Sequence, residues 1–211
     1  MKRDKPYTPS IALLRRSCTA FICGVILLCA QEGCSPDPRT IRGTLGAAAH
    51  AVEIDDGRAL FDALDCRARD ALHSISRDRR ASARLIQAEY PADERAEGLR
   101  ELGDAVRARD AADLFSMRCA RACRARLGAS LGAPVGRRGR GDDVEVATTR
   151  GGRIHLHRCA DGAWGLVWNT TELAAERRRA AREHSQIERN VQIYRRRRAL
   201  AAALETGVAA P

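Results

Sequence analysis

The chain has 211 residues and a formal net charge of +10, from 37 basic and 27 acidic residues. This length allows one domain with appendages, and an aromatic content of 4% predicts a small core. All basic residues except Lys2 and Lys5 are arginines, and alanine is also abundant. Such an excess is typical of a coding bias, so the net charge alone does not indicate a nucleic-acid partner.

Residues 1–34 have the pattern of an export segment. A basic flank ending at Arg16 precedes an uncharged run over residues 18–30, which is too short to span a bilayer. Gly33 and Cys34 then resemble the end of a bacterial lipoprotein signal, in which the cysteine becomes the lipidated N-terminus. An ordinary cleaved signal or an uncleaved anchor is the alternative. The pattern predicts export to the bacterial cell envelope, periplasmic or lipid-anchored at Cys34.

The next part of the chain is predicted as a linker followed by a globular domain. Residues 35–52 are rich in Pro, Gly and Ala without an apolar period, which is typical of a flexible linker. The domain, residues 53–168, begins with helical patterns, the last of them over residues 109–127 with Leu114, Phe115, Met117 and Leu127 inward. Residues 128–141 are predicted as a loop rich in Gly and Arg.

A small sheet is predicted near residues 142–168. Apolar residues alternate with polar or small ones in three short runs, separated by Gly151-Gly152 and by Asp161-Gly162. Period two interrupted by such turn residues predicts an antiparallel meander. It contains both tryptophans, and the helices on either side are expected to pack against it.

The last segment, residues 169–206, predicts one long amphipathic basic helix. Asn169 and Glu172 form a capping-box-like start, and no Gly or Pro follows before Gly207. Its apolar seam is narrow, so the first half is expected to lie across the domain and the second half to project. A basic surface is predicted at Arg195, Arg196, Arg197 and Arg198.

The predicted fold class is α+β, with several N-terminal helices packed on a small antiparallel β-meander and one long C-terminal helix. This order of elements, together with the turn Asp161-Gly162-Ala163-Trp164, resembles the nuclear-transport-factor-2-like domains of small bacterial lipoproteins. The resemblance implies a cone-shaped domain. In that family the cone holds a small-ligand pocket in some members and nothing catalytic in many, so the resemblance assigns no site residues.

Four cysteines follow the predicted linker: Cys66, Cys119, Cys123 and Cys159. An even number in an exported chain favours two disulfides, for which three pairings exist. Cys119 and Cys123 lie four residues apart on one predicted helix, where a bridge between them would fit poorly. We therefore expect one of them to pair with Cys66 and the other with Cys159.

A metal site is the alternative use of these cysteines. His155, His157 and Cys159 alternate along one predicted strand and would project from one face, where Cys119 and Cys123 could complete a zinc site. The absence of a tight Cys-x-x-Cys motif and the oxidising compartment favour disulfides instead. Neither a cofactor nor a catalytic residue is predicted, because no serine stands in a nucleophile-elbow pattern and no phosphate-binding loop occurs.

The functional hypothesis is an exported, envelope-associated, non-catalytic binding or structural module of unknown ligand. A metal-dependent or pocket-based enzyme using His155 and His157 with the cysteines is the alternative. No aromatic platform accompanies the arginines, so no nucleic-acid partner is expected. Anchoring in the membrane by a lipid or the N-terminal segment, and contact with an anionic envelope polymer, are the expected interactions.

Overall fold

The computed structural model describes residues 36–205, so the predicted export segment and Cys34 lie outside the described residues. The elements are the helices α1 (Ile41–Glu53), α2 (Gly57–Asp62), α3 (Cys66–Glu89), α4 (Ala92–Glu101), α5 (Ala111–Arg118), α6 (Arg121–Ser130) and α7 (Thr170–Glu205), a 3-10 helix (Gly103–Val106), and the strands β1 (Pro134–Arg138), β2 (Asp143–Thr148), β3 (Arg153–Arg158) and β4 (Trp164–Leu166). The fold class is α+β, as predicted. None of the helices within residues 36–205 combines the length and apolar character needed to cross a bilayer.

The segment predicted as a linker is largely the helix α1. The side chain of Thr40 caps its start by accepting a hydrogen bond from the backbone N–H of Gly43. Leu45, Ala48 and Ala51 then recur every three or four residues and are buried in the main core. The linker prediction is wrong because a stripe built mostly from alanine packs as a helix face although its composition is that of a linker.

The single helix predicted over residues 109–127 is broken at Cys119 and Ala120. Cys119 leaves helical geometry at φ −92° and ψ 63°, and Ala120 is extended. α6 then continues through Gly128, the predicted stop, to Ser130. Met117, which the sequence pattern predicts to face the core, lies in α5 before this break and is 39% exposed.

The sheet is a four-stranded antiparallel meander in the order β1-β2-β3-β4. Val144 lies opposite Leu156, and Leu156 lies opposite Leu166, so one face presents a continuous apolar surface to the helices. The edge strand β1 falls in the segment predicted as a loop. Its exposed Gly and Arg residues lack the apolar alternation by which a strand is identified in sequence.

Two clusters of buried side chains lie along α3. The main cluster joins α1, α2, α3, α5 and the sheet, and includes Leu72, Phe115 and Leu156. The second cluster lies near the C-terminal end of α3, where α7 crosses it. It contains only Ala83, Ile86, Tyr90, Leu102, Ile187 and Val191 as buried members.

The C-terminal half of α7 does not project freely from the domain. Val191 is 2% exposed, and the ring of Tyr194 packs edge-on against Tyr90 at a centroid distance of 4.9 Å. Beyond them, Arg195 and Arg198 both contact the carboxylate of Glu89 at the end of α3. The prediction that this half projects is wrong because the ring contact of Tyr194 and the ion pairs of Arg195 and Arg198 do not show in the apolar periodicity of the helix.

Candidate functional site

The four cysteines form two disulfides, but not in the predicted pairing. Cys66 at the start of α3 is bonded to Cys159 after β3, with a Cα–Cα distance of 6.0 Å. Cys119 is bonded to Cys123, with Cα atoms 5.0 Å apart. The prediction that these two would not pair assumed a continuous helix, whereas the break at Cys119 and Ala120 brings the two residues within bridging distance.

The two histidines of β3 lie on the outer face of the sheet and contact different carboxylates. His155 is 3.7 Å from Glu145, and His157 Nδ1 is 3.0 Å from Asp143. Cys159 does not join them, because it is buried in its disulfide. Within residues 36–205 no group of three or more His, Cys, Asp and Glu side chains is placed to hold a metal. The zinc site that the metal-dependent form of the alternative hypothesis requires is therefore not assembled among these residues.

The predicted basic surface at residues 195–198 divides into two pairs. Hydrogen bonds from Arg195 and Arg198 lower the pKa of the Glu89 carboxyl, so these two arginines hold α7 to α3. Arg196 and Arg197 are exposed and make no ion pair with any described residue. Two of the four arginines of the predicted basic surface, Arg195 and Arg198, therefore stabilise the packing of α7 on α3.

The larger concave site lies elsewhere, between the C-terminal part of α3, α4 and the middle of α7. It is a cleft of about 670 Å³. A shallower depression of about 370 Å³ over the outer face of the sheet includes His155, Arg138 and Arg153. Of these two concave sites, the cleft combines an apolar floor with aromatic side chains, which is typical of ligand sites.

The floor of the cleft belongs to the second buried cluster. Ile86, Leu102 and Ile187 supply its aliphatic surface, and Tyr90 and Tyr194 stand at one end. Asn190 donates a hydrogen bond of 3.1 Å to the Tyr90 hydroxyl and thereby fixes that ring. The floor is therefore part of the folded core and not a gap between loose surface groups.

The rim of the cleft is acidic although the chain is strongly basic. Asp93, Glu94, Glu97 and Glu101 lie along one side of α4, where spacings of three and four residues share a helix face. Glu97 contacts Arg100, and Glu94 accepts a hydrogen bond from the Tyr194 hydroxyl. That bond raises the pKa of Tyr194 to about 12. Asp93 and Glu101 make no ion pair with any residue between 36 and 205.

A buried arginine lies at the opposite wall. Arg79 on α3 is only 6% exposed and contacts Glu183 of α7. Its Nε–H has no hydrogen-bond partner among the described residues. This pair neutralises one carboxylate, so the unpaired negative charge of the cleft comes from the α4 side.

α4 is positioned by few contacts. Pro91 precedes it without a side-chain cap, Asp93 and Glu94 suit the positive end of its dipole, and none of its residues is buried. Gly98 allows the helix to approach α3, because a Cβ atom there would lie 3.3 Å from Ile86 Cδ1. Gly103, at φ +68°, then ends the segment. The acidic wall is consequently the least embedded part of the site.

The arrangement offers binding chemistry. An unpaired carboxylate beside two aromatic rings and an apolar floor attracts a cation that carries an apolar group. The cleft contains no serine, cysteine or histidine that could act as a nucleophile or base in a triad arrangement. The chain matches no protein-family model, no curated protein and no solved structure in the three comparisons made.

None of these cleft residues was predicted as a site from the sequence. The available signal was the acidic spacing of α4 in a basic chain, with an aromatic residue immediately before it at Tyr90. Tyr194, 104 positions later in the sequence, could be joined to this group only by knowing how α7 crosses α3.

Proposed function

We propose that the protein is an exported, envelope-associated, non-catalytic binding module that binds a cationic amphiphile in the cleft between α3, α4 and α7. The observation that carries this proposal is the acidic rim over an apolar, aromatic floor in a chain of net charge +10. The ligand class follows from this chemistry: one ammonium or guanidinium group attached to an apolar body.

Each part of the cleft has a role toward such a ligand. The apolar body packs against the floor formed by Ile86, Leu102 and Ile187 and against the half-buried ring of Tyr194, where it gains van der Waals contacts. The cationic group lies between the α4 carboxylates and the tyrosine rings, where ion pairing and cation–π attraction combine. The Arg79–Glu183 ion pair forms the opposite wall of the cleft. The positive charge of Arg79 there disfavours a ligand with a second cationic group.

Export is supported by the sequence pattern of residues 1–34 and is compatible with the two disulfides, since disulfides persist in oxidising compartments. Cell fractionation with palmitate labelling tests this part. The protein is expected in the envelope fraction, and Cys34→Ala is expected to lose the label. A full-length protein in the cytoplasm would contradict export, and label retained by the variant would contradict lipidation alone.

Calorimetric titration with three probes of equal chain length tests the ligand class. Hexylammonium is expected to bind, hexanol to bind at least about tenfold more weakly, and hexanoate not to bind. The affinities rank in this order because only hexylammonium has both an ammonium group for the acidic rim and an apolar chain for the floor. Equal affinity for all three would show a merely apolar groove and would overturn the assignment of ligand class.

The rim is tested by the double variant Asp93→Asn/Glu101→Gln. Two exposed charges each contribute roughly 0.5 kcal/mol, so hexylammonium affinity is expected to fall about fivefold, with hexanol affinity unchanged. Glu53→Gln/Asp142→Asn, which removes the same two charges from exposed positions at the end of α1 and in the β1–β2 turn, is the matched control and should bind hexylammonium like the original protein. Equal losses in the control would mean that long-range charge, and not the cleft, governs binding.

A further inference from the structure

We infer that the outer face of α7 is a second binding surface, one that lies on an anionic lipid bilayer. The inference is independent of the cleft. It rests on how the charges of α7 are distributed around the helix axis.

Charge on α7 is segregated into one sector. At about 100° per residue, ten residues lie within about 40° of the direction opposite the buried Val191. Three of them, Thr171, Ala175 and Gln186, are small or uncharged polar residues. The other seven are Arg178, Arg182, Arg189, Arg196, Ile193, Leu200 and Leu204. We call this set the basic ridge. None of the five glutamates of α7 falls within this sector, so the ridge carries positive charge alone.

The arginines of the ridge are available for a partner. All four are exposed, and none makes an ion pair with a described residue; Arg189 donates a hydrogen bond to Gln186. They extend over about 27 Å of helix from Arg178 to Arg196. By contrast, Arg195 and Arg198, on other faces of the helix, are held by Glu89.

The apolar end of the ridge distinguishes a bilayer from a dissolved polyanion. Ile193, Leu200 and Leu204 are 48%, 59% and 83% exposed, and Arg196 and Arg197 flank them on the two sides. A linear polyanion offers no place to bury these side chains. The boundary between headgroups and acyl chains accepts an apolar helix stripe while the surrounding arginines contact anionic headgroups.

Vesicle cosedimentation of the full chain tests the inference, with vesicles of phosphatidylcholine alone or mixed with phosphatidylglycerol. Binding is expected to be stronger to the mixed vesicles, with an advantage that shrinks as salt is raised. Any contribution of residues 1–34 is common to all variants. Equal binding to the two vesicle types would overturn the inference.

Two double variants locate the surface. Arg182→Gln/Arg196→Gln is expected to weaken binding to the mixed vesicles about 30-fold, since each arginine contributes about 1 kcal/mol at an anionic surface. Arg42→Gln/Arg177→Gln removes the same charge from exposed positions off the ridge and should change binding less than about threefold. Equal losses in both double variants would show nonspecific attraction and overturn the assignment.

Leu200→Ser/Leu204→Ser tests the apolar part of the ridge. Because both side chains are exposed, the change is expected to leave folding intact and to weaken binding to the mixed vesicles at least about tenfold. If this variant bound like the original protein while the arginine variant did not, the ridge would bind a polyanion in place of a bilayer, and the inference would be wrong.

Discussion

The two ends of α3 lie in different surroundings. Its N-terminal part belongs to the main cluster, together with side chains of α1, α2, α5, the start of α7 and the sheet, and it is covalently joined to the end of β3 through Cys66 and Cys159. Its C-terminal part is covered by α7 and by α4, a helix without a buried residue. The first end is held by many elements and a disulfide, whereas the second is covered thinly enough to leave a cleft above its buried apolar side chains. We therefore place ligand binding at the thinly covered end.

The largest expected effect on the free energy of unfolding is the loss of the Cys66–Cys159 disulfide, compared with the loss of the Cys119–Cys123 disulfide. Cys66 and Cys159 are 93 residues apart, so in the chain-entropy model their bond stabilises the fold by about 4.7 kcal/mol. Cys119 and Cys123 are only four residues apart, which gives about 2 kcal/mol. Urea unfolding of the two double-alanine variants measures both free energies. A larger loss for Cys119→Ala/Cys123→Ala would contradict the role given to the long-range bond.

A matched pair of leucine truncations compares the two clusters directly. Leu72 is fully buried in the main cluster, and Leu102 is 4% exposed beside the cleft. We expect Leu72→Ala to lower the free energy of unfolding by about 4 to 5 kcal/mol and Leu102→Ala by about 2 kcal/mol. The difference arises because side chains around the cleft can relax into the space. Equal losses in urea unfolding would mean that the second cluster is packed as tightly as the first.

Truncation after Glu188 tests how far α7 is part of the fold. It removes the buried Val191 and the Tyr90–Tyr194 ring contact, so we expect a loss of about 2 to 4 kcal/mol in thermal unfolding. Truncation after Arg198, which keeps these contacts, is the control and should have little effect. A truncation at Glu188 without loss would show that the contacts of Val191 and Tyr194 contribute nothing to stability.

Local rules in the sequence were sufficient for much of the fold. The α+β class, the meander and the start of α7 near Asn169 follow from periodicity and turn residues. The predictions that failed depend on contacts between residues that are distant in the sequence. α1 buries its alanine-rich face only because the rest of the domain provides a core against which that face packs. The break at Cys119 and Ala120 has no Gly or Pro to mark it.

The candidate site was less predictable for the same reason. The cysteines and His155 were noticed because they carry recognisable chemistry, yet the structure places them in bridges and on an open face. The cleft is made of ordinary residue types, and its character comes from the approach of Tyr194 to Glu94 across the two helices.

The smallest expected effect concerns the ionisation of Tyr194 at the cleft. The Glu94 hydrogen bond raises its pKa from 10.0 to about 12, so the folded state retains the proton that the unfolded state loses first. Stability should therefore fall as pH rises between these two values. Tyrosinate absorbance should show Tyr194 titrating near pH 12 and moving toward 10 in Glu94→Gln. An unchanged titration would contradict the contact.

The central claim is that the cleft between α3, α4 and α7 is the ligand site. Backbone amide shifts in a nuclear magnetic resonance titration with hexylammonium test it most directly. The account predicts that the largest shifts fall in α4 and at Tyr90 and Tyr194, with little change in the sheet. Shifts concentrated around His155 on the outer face of the sheet, with α4 unaffected, would contradict it.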